Sequence, residues 1–324
     1  MSVVYNQIEL NLIKTEKLLD QANRELNPGE WVYKNDLRTP LFMLEGLTRI
    51  YSSINPGRKL RKINERFKTV EDAIGLLDYY AAFEKEFSDN KGVRTKIIDY
   101  IHGQRMRANN SLEAMLKADG WLNGKRIQKL RSRLTELYWI DKEAKEINAL
   151  RESYLGEIET VKAFATGTKF VFKNVEADLH EMRRRIRWLS IYPQALGGIM
   201  QLKEKKPMKS FLTKYITPDV INSPYNQLPV LNSLKDHIFL EKNRFLSMSW
   251  LISTLGKLKD QGLRIHLLEE ALKKTKIIDV KKIPDEIKSI LGAGYPTTAG
   301  LLSQSSEICK IYFEEKNLEN LVIA

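Results

Sequence analysis

One histidine and three arginines recur at helical spacing within residues 179–189, in the middle of the chain. On a helix that turns about 100° per residue they lie on one stripe, which consists of His180, Arg183, Arg184 and Arg187. An adjoining apolar stripe, able to face a core, consists of Leu179, Met182, Ile186 and Leu189. Neighbouring cations repel one another unless solvent or an anion lies against them. This segment is therefore predicted to be a rigid surface for phosphate or carboxylate groups.

The overall charge of the chain points in the same direction. Its 324 residues include 53 Lys and Arg against 41 Asp and Glu, a formal net charge of +12. This excess favours an acidic partner such as nucleic acid, polyphosphate or an anionic membrane surface, without choosing among them. The apolar content of 43% predicts a genuine hydrophobic core.

Cysteine usage and the start of the sequence suggest a compartment. The single Cys309 excludes an internal disulfide and fits a reducing environment. The first 19 residues mix polar, charged and apolar side chains, unlike a signal peptide. No apolar run approaches the ~18–20 residues that a transmembrane helix needs. We expect a cytoplasmic protein without a membrane span.

Residue patterns that support catalysis or metal binding are not evident. No metal-ligand spacing relates Cys309 to the scattered histidines His102, His237 and His266. The carboxylates Glu71, Asp72 and Asp78 form an ordinary polar helix face, and no common nucleophile, Walker or Rossmann motif occurs. We therefore expect a binding protein rather than an enzyme, with no metal and no cofactor.

Helical periodicity dominates the chain and predicts an all-α fold. One core-facing seam alternates steps of three and four through Leu60, Ile63, Phe67, Val70, Ile74 and Leu77. Similar seams are centred on Leu130 and Leu255. Turn-forming residues near positions 27–29, 55–57, 88–92, 123–124 and 166–167 predict breaks between helices. Residues 203–231 contain four prolines and are predicted to be a long connection with at most short helices.

The sequence also suggests a diverged internal repeat. Asn35 to Arg38 aligns with His180 to Arg183 at an offset of 145 residues, and each copy is followed by an acidic segment that contains glycine. Two tandem helical bundles would bury facing surfaces and leave a basic groove or pore on a pseudo-twofold axis. We predict a first repeat over residues 1–160, a second over 161–280 and a helical extension over 281–324.

The second copy resembles a known family. The pattern His180-x-x-Arg183-x-x-x-Arg187-x-Leu189 is similar to the signature helix of the CHAD family, the conserved-histidine α-helical domain. Leu255-Gly256-x-Leu258-x-Asp260 resembles a later element of each CHAD repeat. The resemblance implies two similar helical bundles whose basic helices line a central pore and bind inorganic polyphosphate without catalysis.

The first copy departs from this pattern. Asn35 stands where the family has histidine, and Thr39 and Phe42 occupy the positions equivalent to Arg184 and Arg187. Only Arg38 remains of the basic stripe. If a pore exists, one wall has lost most of the positive charge of its signature helix.

Other basic stripes are candidates to extend the anion-binding surface. The first consists of Arg58, Lys59, Lys62 and Arg66, and the second of Arg126, Lys129 and Arg133. Taken alone, each is more often a solvated helix face than a ligand site. Their number and the positive charge of the chain favour a role in binding.

Two other functions stay open at this point. Single-stranded nucleic acid would require exposed aromatic side chains among the cations, and Trp188 and Tyr192 are as readily explained by packing. This favours a bare phosphate chain mildly over bases. The lost charges of the first copy suggest instead a degenerate family member that acts as a protein-interaction scaffold.

Overall fold

The computed structural model describes residues 2–231 and 234–323, and the fold is all-α as predicted. Helix accounts for 72% of the structure and strand for 3%. Among the described residues, no helix combines the length and the apolar character that crossing a membrane requires. The α-helices are α1 Val3–Ala22, α2 Pro28–Lys34, α3 Arg38–Tyr51, α4 Arg58–Ser88, α5 Thr95–Ala118, α6 Lys125–Thr135, α7 Glu143–Gly167, α8 Glu181–Ala195, α9 Pro218–Ile221, α10 Lys242–Thr275, α11 Ile283–Leu291 and α12 Thr298–Glu314.

Local sequence explains where several helices begin. Asn27 accepts a hydrogen bond from the Glu30 backbone N–H and precedes a proline in the first turn of α2. Asn174 caps a π-helical turn, Val175–His180, which runs directly into α8. The Glu241 side chain accepts the first backbone N–H groups of α10. All five predicted breaks coincide with helix ends, because those segments lack the residues that continue a helix.

The predicted seams form the core. The six apolar residues of the α4 seam are buried, and so are Leu130 on α6 and Leu255 on α10. The main cluster of buried side chains contains residues from Val4 to Leu321 and thus from all three predicted segments. A second cluster joins the C-terminal halves of α4 and α10 to α5 and α11. The division at residues 160 and 280 stays a prediction.

A small sheet was not predicted. Strands β1 Met200–Lys203 and β2 Ile238–Glu241 pair in parallel, with Met200 opposite Ile238. Leu240 forms an antiparallel bridge with Val322 on the other side of β2. Each strand has four residues, too few for alternation to stand out in the sequence. Between them, the connection 204–237 contains α9 and the short 3₁₀ turns Ser210–Tyr215 and Pro224–Asn226 among its described residues, as expected.

Helices α3 and α8 pack directly on one another at the centre of the molecule. A Cβ built on Gly46 would lie 3.3 Å from Ile191 Cγ2 and 3.5 Å from Trp188 Cζ3. Trp188 is buried and stacks on Tyr192 with 5.8 Å between ring centroids. Glycine at position 46 therefore permits a close approach of the two helices, and this approach brings their N-terminal halves together.

Replacing Gly46 by leucine is expected to destabilise the protein, because the added side chain overlaps Ile191 and Trp188. We expect a loss of roughly 1–3 kcal/mol in the free energy of unfolding, measured by urea denaturation. Gly156→Leu is the matched control, since a Cβ built there on α7 meets nothing within 4 Å apart from its own stretch of helix. A comparable loss in both variants would show that α3–α8 packing is not the cause.

Candidate anion-binding site

The same arginine–glycine contact occurs on both sides of the α3–α8 pair. Arg38 of α3 lies across Gly75 of α4, where a Cβ would be 2.8 Å from its Nη2 atom. Arg183 of α8 lies across Gly256 of α10, where a Cβ would be 2.9 Å from its Nε atom. Because glycine has no Cβ at either position, each guanidinium can lie in close contact with a long helix.

Acidic side chains neutralise only the first of these arginines. Arg38 Nε donates to Glu71 Oε1 at 2.7 Å, and Arg38 Nη1 donates to Asp78 Oδ2 at 3.0 Å. Glu71 is buried, one helical turn before Gly75. The cation therefore has two carboxylate partners, and its Nε donor and one Nη1 donor are occupied.

The second arginine, Arg183, has no carboxylate within ion-pair distance among the described residues. One turn before Gly256, α10 carries Ile252 where α4 carries Glu71, and Arg183 Nε donates to the Ile252 carbonyl at 3.2 Å. Among the described residues, no carboxylate lies within 4 Å of Arg183 or Arg187. Asp260 attracts Arg183 from a greater distance, and its carboxylate is paired with Lys259 Nζ at 2.9 Å.

Arg187 lies between the two arginine–glycine contacts. Its guanidinium carbon is 4.5 Å from the centre of the Phe42 ring, and that of Arg38 is 5.2 Å from the same ring. Burial, and then repulsion from Arg183 and Arg38, lowers the pKa of Arg187 to about 10. The side chain remains protonated at neutral pH, so three cations converge on one place.

The donors of Arg187 are available to a ligand. The guanidinium makes no hydrogen bond to a described residue. Its nitrogens are nevertheless not completely buried. Solvent therefore reaches it. A half-buried cation with like charges beside it is costly, and an anion that binds there relieves that cost.

The other two members of the predicted stripe are engaged locally. His180 Nδ1 lies 2.8 Å from Glu176 Oε2, and the hydrogen bond to His180 is the main cause of the lowered pKa of Glu176. Arg184 Nη2 lies 2.6 Å from Glu181 Oε2, and the Arg184 side chain is about half exposed. The stripe thus divides into a half-buried pair, Arg183 and Arg187, and a solvated pair, His180 and Arg184.

The basic stripes of α4 and α6 lie beside each other. Lys59 pairs with Glu136 at 3.1 Å, and Asp119 lies between Arg66, at 4.0 Å, and Arg126, at 3.3 Å. The remaining members form no ion pair with a described residue, and these are Arg58, Lys62, Lys129 and Arg133. We call this surface, residues 58–66 and 126–133, the α4–α6 furrow.

The furrow does not continue the central site. Arg66 and Gly75 are nine residues apart on α4, which places them about half a turn apart around the helix axis. The furrow therefore lies on the side of α4 opposite the Arg38 contact. The structure brings Arg38, Arg183 and Arg187 together and leaves the seven furrow residues on a separate surface.

Sequence reasoning did not find the carboxylates of the site. The sequence places Glu71 and Asp78 on an ordinary polar helix face, whereas in the structure both bind Arg38. A signal was present for Glu71, because it follows Phe67 by four residues and precedes Ile74 by three on the buried seam. A carboxylate on such a seam requires a cationic or hydrogen-bonding partner.

Glu45, on α3, is a second buried carboxylate beside the site. Burial, and then repulsion from Glu71, raises the pKa of Glu45 to about 7. Its exposed fraction is 5%. The carboxyl group therefore holds its proton more tightly in the folded protein than in the unfolded chain.

Comparison of the chain with family models, with curated proteins and with solved structures gives no match. Within residues 2–231 and 234–323, no group of three or more His, Cys, Asp or Glu side chains is arranged to hold a metal ion. The function must therefore be inferred from the geometry of the site.

The raised pKa of Glu45 predicts a pH-dependent stability. Between pH 4.5 and about 7 the folded protein binds the proton more tightly, so the free energy of unfolding falls as pH rises through this window. Glu45→Gln removes the loss of stability that comes from ionising a buried carboxyl group. We expect the variant to gain roughly 1–3 kcal/mol over the natural protein at pH 8, and much less at pH 5.

Urea denaturation at both pH values measures the effect. Glu65→Gln, an exposed substitution on α4, is the control for the loss of one negative charge. A gain for Glu45→Gln that is the same at pH 5 and pH 8 would contradict the raised pKa.

Proposed function

We propose that this protein binds inorganic polyphosphate or a similar polyanion without catalysis, in the manner of the CHAD family. The observation that carries the proposal is the half-buried pair Arg183 and Arg187, which lacks a carboxylate partner within 4 Å among the described residues. Most buried arginines in proteins are paired. Two adjacent arginines without carboxylate partners, next to a third arginine, fit a site in which a bound ligand supplies the negative charge.

The proposal includes the pseudo-twofold repeat. Residues 145 positions apart touch each other at the α3–α8 contact: Phe42 meets Arg187, and Gly46 meets Ile191. Contact between equivalent residues is what an axis between two related helices produces. The two arginine–glycine contacts support the same relation, because Arg38 and Arg183 are also 145 residues apart.

The chemistry of the site favours phosphate groups over bases. Guanidinium groups form paired, charge-assisted hydrogen bonds to phosphate oxygens. The aromatic side chains of α8 are not available for stacking, since Trp188 and Tyr192 are buried against each other. A ligand therefore meets the arginine donors, the ring of Phe42 and, near Arg187, the exposed Tyr225.

Binding of tripolyphosphate tests the proposal. Arg183→Ala and Arg187→Ala are each expected to weaken affinity about 10-fold or more, because each removes charge-assisted hydrogen bonds. Affinity of the natural protein is expected to fall as salt rises, since electrostatic attraction is screened. Isothermal titration calorimetry at low and moderate salt measures both effects.

Arg184→Ala is the matched control. It removes the same charge from the same helix, but its guanidinium is exposed and paired with Glu181. Equal losses in Arg184→Ala and Arg183→Ala would show a general charge effect and contradict the assigned site. Absence of binding at low salt would favour the scaffold function instead.

A second candidate function, nucleic-acid binding, is favoured by the α4–α6 furrow. Seven cationic side chains line two adjacent helices there, with Glu136 and Asp119 as their ion-pair partners among the described residues. Such a stripe attracts a phosphodiester backbone. The exposed Tyr138, just after α6, offers an aromatic ring.

Charge reversal in the furrow tests this second candidate. The double variant Lys62→Glu/Arg133→Glu is expected to weaken binding of a single-stranded oligonucleotide about 10-fold or more and to leave tripolyphosphate binding nearly unchanged. Fluorescence anisotropy measures the oligonucleotide affinity. Lys14→Glu/Lys17→Glu makes the same charge change on the exposed face of α1. Equal losses in the two double variants would overturn an assigned nucleic-acid surface.

A further inference from the structure

We propose that Glu71 and Asp78 restrict the central site to short anions, namely linear phosphates of two or three phosphoryl groups. This inference rests on the proposed function of Arg183 and Arg187. It concerns which member of the polyanion class the site accepts. The two carboxylates hold Arg38 in an internal ion pair and close the side of the site that a long chain would need.

The positions of the three arginines define the path of a ligand. Arg183 and Arg187 are one helical turn apart, about 6 Å along α8. Arg38 is the next cation, because its guanidinium and that of Arg187 both lie against the Phe42 ring, at 5.2 and 4.5 Å from its centre. A chain that extends past Arg187 towards α3 therefore approaches Arg38.

Arg38 offers little to such a chain. Its Nε donor and one Nη1 donor are bound to Glu71 and Asp78 at 2.7 and 3.0 Å. A phosphate near Arg38 would also approach these two carboxylates, and like charges at short range repel strongly where water is scarce. Extending the anion in this direction therefore adds repulsion and few hydrogen bonds.

Phe42 increases the difference between the α3 and α8 sides of the site in the number of hydrogen-bond donors. It occupies the position on α3 that corresponds to Arg187 on α8, and its ring touches the guanidinium groups of both Arg38 and Arg187. The ring holds these cations through its π face but supplies no donor to a phosphate. Hydrogen-bond donors are thus concentrated on the α8 side, within reach of a diphosphate or triphosphate.

Neutral replacements of the carboxylates test the inference. Affinities for pyrophosphate, tripolyphosphate and long-chain polyphosphate are measured in the natural protein, in Glu71→Gln and in Asp78→Asn. In each background, the Arg183→Ala change defines the part of the binding that belongs to the central site. We expect the ratio of long-chain to tripolyphosphate affinity to rise about 10-fold in either variant.

Asp78→Asn and Asp72→Asn serve as a second test variant and as the control. Asp78 is about half exposed, so Asp78→Asn tests the inference even if the buried Glu71 is needed for folding. Asp72→Asn is the matched control, because Asp72 neighbours Glu71 but pairs with Lys68 in solvent. The advantage that a long chain gains from its many equivalent segments is the same in every protein, so it cancels when the ratio in a variant is divided by the ratio in the natural protein.

The measurements distinguish length restriction by Glu71 and Asp78 from phosphate binding by Arg183 and Arg187. An unchanged ratio in both Glu71→Gln and Asp78→Asn overturns length restriction by these carboxylates, and so does an equal rise in Asp72→Asn. Arg183-dependent binding with an unchanged ratio would leave the proposed function standing. Absence of Arg183-dependent binding for every phosphate overturns the proposed function itself.

Discussion

The close approach of α3 and α8 at Gly46 determines what the centre of this molecule can contain. Two helices that meet without an intervening side chain bring their neighbouring turns into contact as well. One turn from Gly46, Phe42 therefore meets Arg187, and one turn further Arg38 approaches the same group. The packing of α3 on α8 thus brings three cations to one place.

Carboxylates pair directly with this charge on one side only, although Glu71 attracts Arg187 and Asp260 attracts Arg183 from a greater distance. A buried arginine loses hydration, and the loss must be balanced by an acidic partner, by hydrogen bonds or by a bound anion. Arg38 has the first kind of partner in Glu71 and Asp78, whereas Arg183 has a backbone carbonyl and Arg187 has an aromatic ring. The two arginine–glycine contacts thus differ in charge: Arg38 is held in an ion pair, whereas Arg183 has no carboxylate within ion-pair distance among the described residues.

Much of the fold follows from the sequence. The α4 seam, the turn residues and the apolar side of 179–189 predicted buried faces and helix ends that the structure contains. The strands β1 and β2 did not follow, because four-residue strands paired across 34 intervening residues leave no local signal. The stripe on α8 was found from spacing alone, but spacing could not separate Arg183 and Arg187 from His180 and Arg184. That separation depends on which side chains of α4 and α10 lie opposite, and such tertiary contacts are not encoded in the periodicity of a single helix.

The sequence distance across each arginine–glycine contact has a consequence for the order of folding. Arg38 and Glu71 are 33 residues apart, and one short turn joins their helices. Arg183 and Ile252 are 69 residues apart, and the proline-rich connection and the small sheet lie between them. Closing a longer loop costs more chain entropy. We therefore expect the neutralised side to assemble early from local contacts and the uncompensated side to assemble late. A ligand that recognises only the completed α8–α10 side would then act after this later step, by slowing the unfolding of that side of the site.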